Sequence, residues 1–337
     1  MRRPFLGLIA LFIVLAAAYA GYWFYTAGNI RAGIDPWADA RRAEGYDLRW
    51  DNVAVNGFPF EFRVVFINFF ASSPKPLPYQ ASAVSMVFET GPWNLQKWRF
   101  TAPGGIKLAL LTASLGFDAE GFSGDLTLPL DPEGALDIDA LNLTGEGAAQ
   151  GFKLDELRMG ISQPPTPPAS DHDPFLDLSF ALTNLALPNG YPPLGATIQQ
   201  ISATSAIDGS FTPGPLTQAL ADWRDRGGIL DIQNIQLNWD ALDASANGTA
   251  ALDARLQPIA ALTATLKGQD AVIDAAVAGG SMSDQNGNLA KAVLALLAKP
   301  GPDGTPQITA PVTVQDSRVF LGPAAVAKLP TINWESN

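Results

Sequence analysis

Apolar residues recur along this chain in one spacing, apolar-x-apolar-x-x-apolar-x-apolar, and that spacing limits what the chain can fold into. It occurs at Leu48, Trp50, Val53 and Val55, and at Leu136, Ile138, Leu141 and Leu143. It returns at Phe152, Leu154, Leu157 and Met159, at Phe180, Leu182, Leu185 and Leu187, and at Leu230, Ile232, Ile235 and Leu237. Weaker copies begin at Tyr79 and Ala196. The outer pairs of each unit alternate as residues on one face of a strand do. The three-residue step between them turns the apolar face over unless a bulge or bend intervenes. We read the units as strands with a built-in kink, the device by which a sheet acquires curvature. Plain strand-turn-strand segments of a sandwich are the competing reading. The expected fold class is mainly β: an elongated, curved antiparallel sheet, half-barrel or taco-like, with a few short helices and one N-terminal transmembrane helix.

One stretch is apolar on both faces. Phe58, Phe60, Phe62, Val64 and Phe66 fall on one face, and Val65, Ile67 and Phe69 on the other. Such a strand needs cover on both sides, from a sheet, a helix or a curled neighbour. Core packing is the common answer. A hydrophobic ligand is the alternative, which makes Phe58, Phe60, Phe62 and Phe66 the candidate lining of a groove.

The N-terminus carries Arg2 and Arg3, then an apolar run from Phe5 to Tyr25 without a charge. At about 1.5 Å per residue that run matches the roughly 30 Å hydrocarbon core of a bilayer. Basic residues before the span keep the start cytoplasmic and send the body across. Tyr19, Tyr22, Trp23 and Tyr25 at its far end read as an interfacial belt. The competing reading is a signal peptide cut after Ala18-Tyr19-Ala20. The run continues past that cut, which favours a retained anchor. The expected location is the inner membrane, single-pass, with the body in the periplasm; cleavage near Ala20 would leave it soluble there.

Asp35-Pro36 has the form of a helix start and Gly45 that of a stop, so a short juxtamembrane helix is expected between them. Two later helices are expected, Pro215 to Arg226 and one carrying Leu289, Val293 and Leu296. The segment Ser162 to Pro174, SQPPTPPASDHDP, reads as an extended connector and the best internal boundary. The expected divisions are 1–28 for the membrane segment, 29–45 for the juxtamembrane helix, 46–162 for a first β half, 163–174 for the connector and 175–337 for a second β half.

Charged residues make up only 16% of the 337 residues, and the net charge is −12. An acidic chain lacks the basic patch that a nucleic-acid partner requires. It also lacks the charge for flat adhesion to anionic lipid. With no cysteine, thiolate catalysis, disulfides and cysteine metal sites are excluded. The one histidine, His172, sits between Asp171 and Asp173 in the connector. Adjacent loop residues rarely converge on one ion, so a solvated linker is expected and no metal or cofactor. Ser72-Ser73-Pro74-Lys75 has the Ser-x-x-Lys spacing of serine enzymes without their partner motifs and within a proline run. Gly145-Glu146-Gly147 with Gly151 misses the dinucleotide fingerprint, because position 150 is Gln. The scattered tryptophans read as core and sheet-edge residues. No catalytic residue can be named, and the chain is not expected to be an enzyme.

The membrane segment and short helix lead to Gly57-Phe58-Pro59-Phe60 before an apolar strand, and Asp316-Ser317-Arg318-Val319-Phe320-Leu321-Gly322-Pro323 lies near the C-terminus. Over nearly its whole length the chain thereby resembles the uncharacterised Gram-negative envelope family known as domain of unknown function twenty-one twenty-five. That resemblance brings no catalytic residue with it. In pattern the chain is also similar to AsmA-like proteins, which implies a curled sheet lining a hydrophobic groove and traffic in phospholipid. The expected function is a non-enzymatic binding or scaffold protein for phospholipid or another hydrophobic envelope ligand. The alternatives are a structural partner of an inner-membrane protein complex without a lipid ligand and, third, a carbohydrate-active hydrolase.

Overall fold

In the computed structural model, the kinked units fold as strands of one antiparallel sheet. The structure describes residues 2–334 apart from 74–77, 111–113, 129–133, 165, 167, 171, 191–193, 213, 281, 302–303 and 323. Pro74 and Lys75 of the Ser-x-x-Lys spacing, Asp171 beside His172, and Pro323 therefore lie outside the described residues.

Helix α1 (Arg2–Ala43) opens the chain. Strands β1 (Asp47–Arg49) and β2 (Asn52–Asn56) lie end to end along β3 (Phe62–Ser72). β4 (Tyr79–Gly91) follows, and β5 (Asn94–Thr101) and β6 (Ile106–Leu110) share its far side. β7 (Leu115–Thr127), β8 (Ala135–Gly147), β9 (Lys153–Ser162), β10 (Pro174–Ala186) and β11 (Thr197–Asp208) then pair in chain order. After α2 (Leu216–Asp225) come β12 (Ile229–Trp239), β13 (Leu242–Leu252) and β14 (Pro258–Lys267). The hairpin of α3 (Gln269–Ala278) and α4 (Asp284–Leu297) leads to β15 (Lys299–Pro300) and β16 (Pro306–Gln315), and β16 pairs with β14. β17 (Arg318–Leu321) and β18 (Ala324–Lys328) end the sheet, which counts 18 strands among the described residues. Among the described residues the first strands, β1 and β2, do not pair with β18, so the meander stays open.

The three-residue step is a crease that crosses the sheet. On consecutive strands the step falls between Trp50 and Val53, Phe66 and Phe69, Ala83 and Met86, Ala119 and Phe122, Ala140 and Leu143, Leu154 and Leu157, Leu182 and Leu185, and Ile198 and Ile201. The register pairs these residues across neighbouring strands, for example Leu157 with Leu182 and Leu154 with Leu185. Val53, Phe66, Ala83, Met86, Ala119, Ala140, Leu143 and Leu154 are all buried, so the apolar face continues across the crease instead of turning over. Asn68, Asn142 and Asn184 make this possible with left-handed φ of 51°, 52° and 55°. Asparagine tolerates that region better than any other side-chain-bearing residue except aspartate. Each amide donates to an acid at the same level of the next strand: Asn68 Nδ2 to Asp51 Oδ2 (2.6 Å), Asn142 to Glu120 Oε2 (3.1 Å) and Asn184 to Asp155 Oδ2 (2.9 Å).

Four expectations change. The juxtamembrane helix is not a separate element, because α1 runs on through Pro36. Asp35 pairs with Arg31 (3.1 Å) and does not cap a new helix. Ile30 and Ile34 pack against the sheet core and Ala38 is fully buried, so packing holds the helix together where the local signals favour a break. Leu141 is half-exposed over Gly121, and Ala140 takes the inward place. The connector 163–174 joins strands of one sheet, since β9 and β10 pair directly (Asp177 opposite Ser162). Finally, β3 begins at Phe62, and Phe58 and Phe60 precede it in a turn closed by bonds from Phe60 N and Glu61 N to Gly57 O (3.0 and 3.1 Å). Gly57 has a φ of 104°, and a Cβ there would stand 2.6 Å from Glu61 O, so the turn requires glycine.

Candidate functional site

The chemical motifs resolve into structural roles. In the connector, the Asp173 carboxylate accepts from Ser170 N (2.8 Å) and Ala169 N (2.9 Å). Those backbone bonds hold its pKa below the usual carboxylate value. Ser73 Oγ accepts from Tyr79 N (3.0 Å) and so bridges the loop between β3 and β4. Among the described residues no group of three acids or histidines is arranged to hold a metal ion. Lys107, between Asp118 (2.8 Å) and Glu146 (3.0 Å), forms an exposed ion-pair cluster on the outer side of the sheet. Its pKa is raised chiefly by the bond to Asp118, which locks the ammonium charged.

The four groove candidates separate. Phe62 is fully buried and stacks on Trp23 of α1 (5.2 Å between ring centres). Phe66 is buried in a line of rings that runs from Trp50 through Phe88 and Phe100 to Phe122. Phe58 is exposed on one side and stacks on Phe24 (5.4 Å), and Phe60 is 84% exposed at the tip of the turn. They do not line one cavity.

An open apolar surface exists elsewhere on the same sheet. Beyond the part that α1 covers, one register row reads Ile138, Met159, Phe180, Ala203, Ile235, Ala246, Ala264 and Ala310 across eight strands. The neighbouring row reads Leu136, Ile161, Leu178, Ser205, Ile232, Gly248, Leu262 and Val312. On the alternate face an adjacent row reads Asp139, Arg158, Ala181, Ser202, Gln236, Ser245, Thr265 and Thr309, polar at every position but Ala181. Met159 is 42% exposed, Ile161 40% and Phe180 37%. Fully burying such a side chain is worth about 1.5–3 kcal/mol, so covering the part that stays open would add about 0.6–1.2 kcal/mol each, a gain a bound apolar molecule would supply. From β13 onward the first row is alanine, which gives the face a low floor.

These three residues stand on the same side of the crease as Phe62, the side on which the turn before β3 and the connector lie. Sequence alone placed Met159 and Phe180 in kinked units but did not single them out. Their shared row depends on strand register, which the local spacing does not encode.

Comparison with known proteins agrees with the motif resemblance. A family model described as an uncharacterized protein conserved in bacteria (DUF2125) matches residues 23–330. No curated protein and no solved structure matches the chain, and the likeness to AsmA-like proteins gains no support from these comparisons.

Proposed function

The chain belongs to the DUF2125 family of uncharacterised bacterial proteins, and from its own geometry we propose a non-enzymatic, membrane-anchored binding protein that holds the acyl chains of a phospholipid on the open sheet face. The observation that carries this reading is Met159 and Phe180 in one row with Ile161 in the next, large apolar side chains left partly open on one face of the sheet. The surface offers dispersion and desolvation over a long strip with few hydrogen-bonding groups, which suits a flexible chain more than a polar metabolite. The anchor supports a lipid source: α1 is long and apolar enough to cross a membrane. Arg2 and Arg3 before the span favour a body on the periplasmic side of an inner membrane.

The test is native mass spectrometry of the full chain, stripped of lipid in detergent and then exposed to phospholipid vesicles. A retained phospholipid mass is expected, and Phe180→Glu together with Met159→Glu should reduce its occupancy about tenfold, the effect of placing charge against an acyl chain. Unchanged retention in that variant, or no retention by the parent, would sink the lipid reading. The second reading, a scaffold for an inner-membrane protein complex, would then take precedence. It draws on the open sheet edges at β2 and β18, which can accept another strand.

A further inference from the structure

The membrane segment and the sheet are locked together at one level. Tyr19 Oη donates to Pro59 O, Tyr22 Oη to Pro92 O (2.8 Å) and Trp23 Nε1 to Glu61 O (3.0 Å). Tyr19 also stacks on Trp93 (5.3 Å between ring centres). Two tips of the sheet, the turn before β3 and the turn between β4 and β5, are thus held against α1 from Tyr19 to Phe24.

Length then sets the depth of those tips. The part of the apolar run that stands free of the sheet, Phe5 to Ala18, measures about 21 Å at about 1.5 Å per residue. A hydrocarbon core is roughly 30 Å thick. If the bilayer ended where the sheet begins, the span would fall short by about 9 Å. Extending it to Tyr25 restores about 31 Å but carries Tyr19, Tyr22 and Trp23 into the lipid boundary, along with the two turns they hold. We propose that this end of the sheet is seated in the bilayer interface, with Phe58, Phe60 and Trp93 immersed in lipid beside α1. This rests on α1 being the membrane anchor.

The chemistry of the tips fits that depth. Phe60 is 84% exposed and Trp93 81%, beside exposed Phe24 and Tyr25 of the helix. Aromatic rings concentrate at this level of a bilayer. Water thins out toward the hydrocarbon, so backbone groups with partners inside the protein suit this depth. Pro59 and Pro92 have no N–H to leave unpaired. The carbonyls of Pro59, Glu61 and Pro92 are satisfied by the anchor's own side chains. Near the tips, Arg63 pairs with Glu61 (2.7 Å) and with Glu89 (2.6 Å). Met159, Ile161 and Phe180 lie on the same side of the crease as the seated tips, farther along the sheet on β9 and β10.

The chain has no cysteine, so single cysteines report position cleanly. Phe60→Cys, Trp93→Cys, Phe12→Cys in the span and Leu110→Cys at the opposite end of β4 would each carry a polarity-sensitive fluorophore. The full chain is reconstituted in phosphatidylcholine–phosphatidylglycerol vesicles whose acyl chains are brominated near the carbonyl or near the methyl end. Expected is a loss of emission at 60 and 93 with the shallow bromines, at 12 with the deep ones, and none at 110. Emission unchanged at 60 and 93 with quenching at 12 overturns the seated collar and leaves the anchor standing. No quenching at 12 overturns the anchor and the collar together. Retention of lipid by the open face is read separately by mass, so its failure is distinguishable from either result.

Discussion

The residues that shape this molecule are three asparagines with almost no apolar surface. Asn142 sits in the left-handed region and its amide reaches Glu120 across the strand pair, so one residue supplies both the backbone turn and the side-chain tie. Alanine at such a position adds about 1–2 kcal/mol of backbone cost and loses the tie, worth about 1 kcal/mol. Asn142→Ala should therefore destabilise by about 2–3 kcal/mol. Asn142→Gly removes the tie but not the backbone freedom and should cost about 1 kcal/mol. Denaturant midpoints compare the two; equal losses would mean that the crease does not depend on a left-handed backbone. A neighbouring position shows the complementary use of size. A Cβ on Gly124 would meet the Phe100 ring at 2.3 Å, so the missing side chain is where that ring lies across β7.

At the scale of elements, what was legible in the sequence depended on how local the cause was. The kinked strands could be read because alternation and the three-residue step are properties of eight consecutive residues. Helix α2 could be read too, with Trp223 buried and its Nε1 bonded to Asp208 O (2.8 Å). Helix α3 was not foreseen: it starts at Gly268 without a side-chain cap, and its run of Ala and Val suits a strand equally well. The continuity of α1 through Pro36 was hidden because Asp35-Pro36 is what a genuine helix start looks like, and only the contacts of Ile30 and Ile34 with the sheet decide otherwise. The tyrosines and tryptophan read as a membrane belt turned out to dock the helix as well. That docking is concentrated in Trp23, which is buried against Phe62. Trp23→Ala should cost about 3–5 kcal/mol, whereas Tyr25→Ala, at an exposed position on the same helix, should change stability by under about 0.5 kcal/mol. Thermal melts of the full chain in one detergent compare them, and similar losses for both would show that α1 merely lies near the sheet.

Across the whole molecule, one amphipathic sheet is packed unevenly. The large core cluster runs from Val53 and Val64 through Phe100 to Leu154, with Ile30 and Ile34 of α1 against it, and all of its fully buried members precede β10. Beyond β10 the same face continues in register, yet its buried residues are fewer: a small cluster of Leu194, Leu242 and Ala275 of α3, and separate residues such as Ile198 and Ile308. Strands β13 and β14 are hydrogen-bonded to strands on both sides, as β4, β7 and β8 are, so backbone pairing alone would give them similar protection. Opening free energy follows buried apolar contact more than bond count. Amides of β4, β7 and β8 should therefore exchange with solvent deuterium more slowly than those of β13 and β14, by a factor of about ten for each 1.4 kcal/mol of difference in local opening. If a phospholipid occupies the open face, its acyl chain supplies the missing contacts, and the gap should narrow on adding vesicles to the full chain but not to the Phe180→Glu, Met159→Glu variant. Uniform exchange along the sheet before lipid is added would mean that the later strands close their own face in solution. An open surface for a ligand would then be lost at the level of the fold, whatever the anchor does at the membrane.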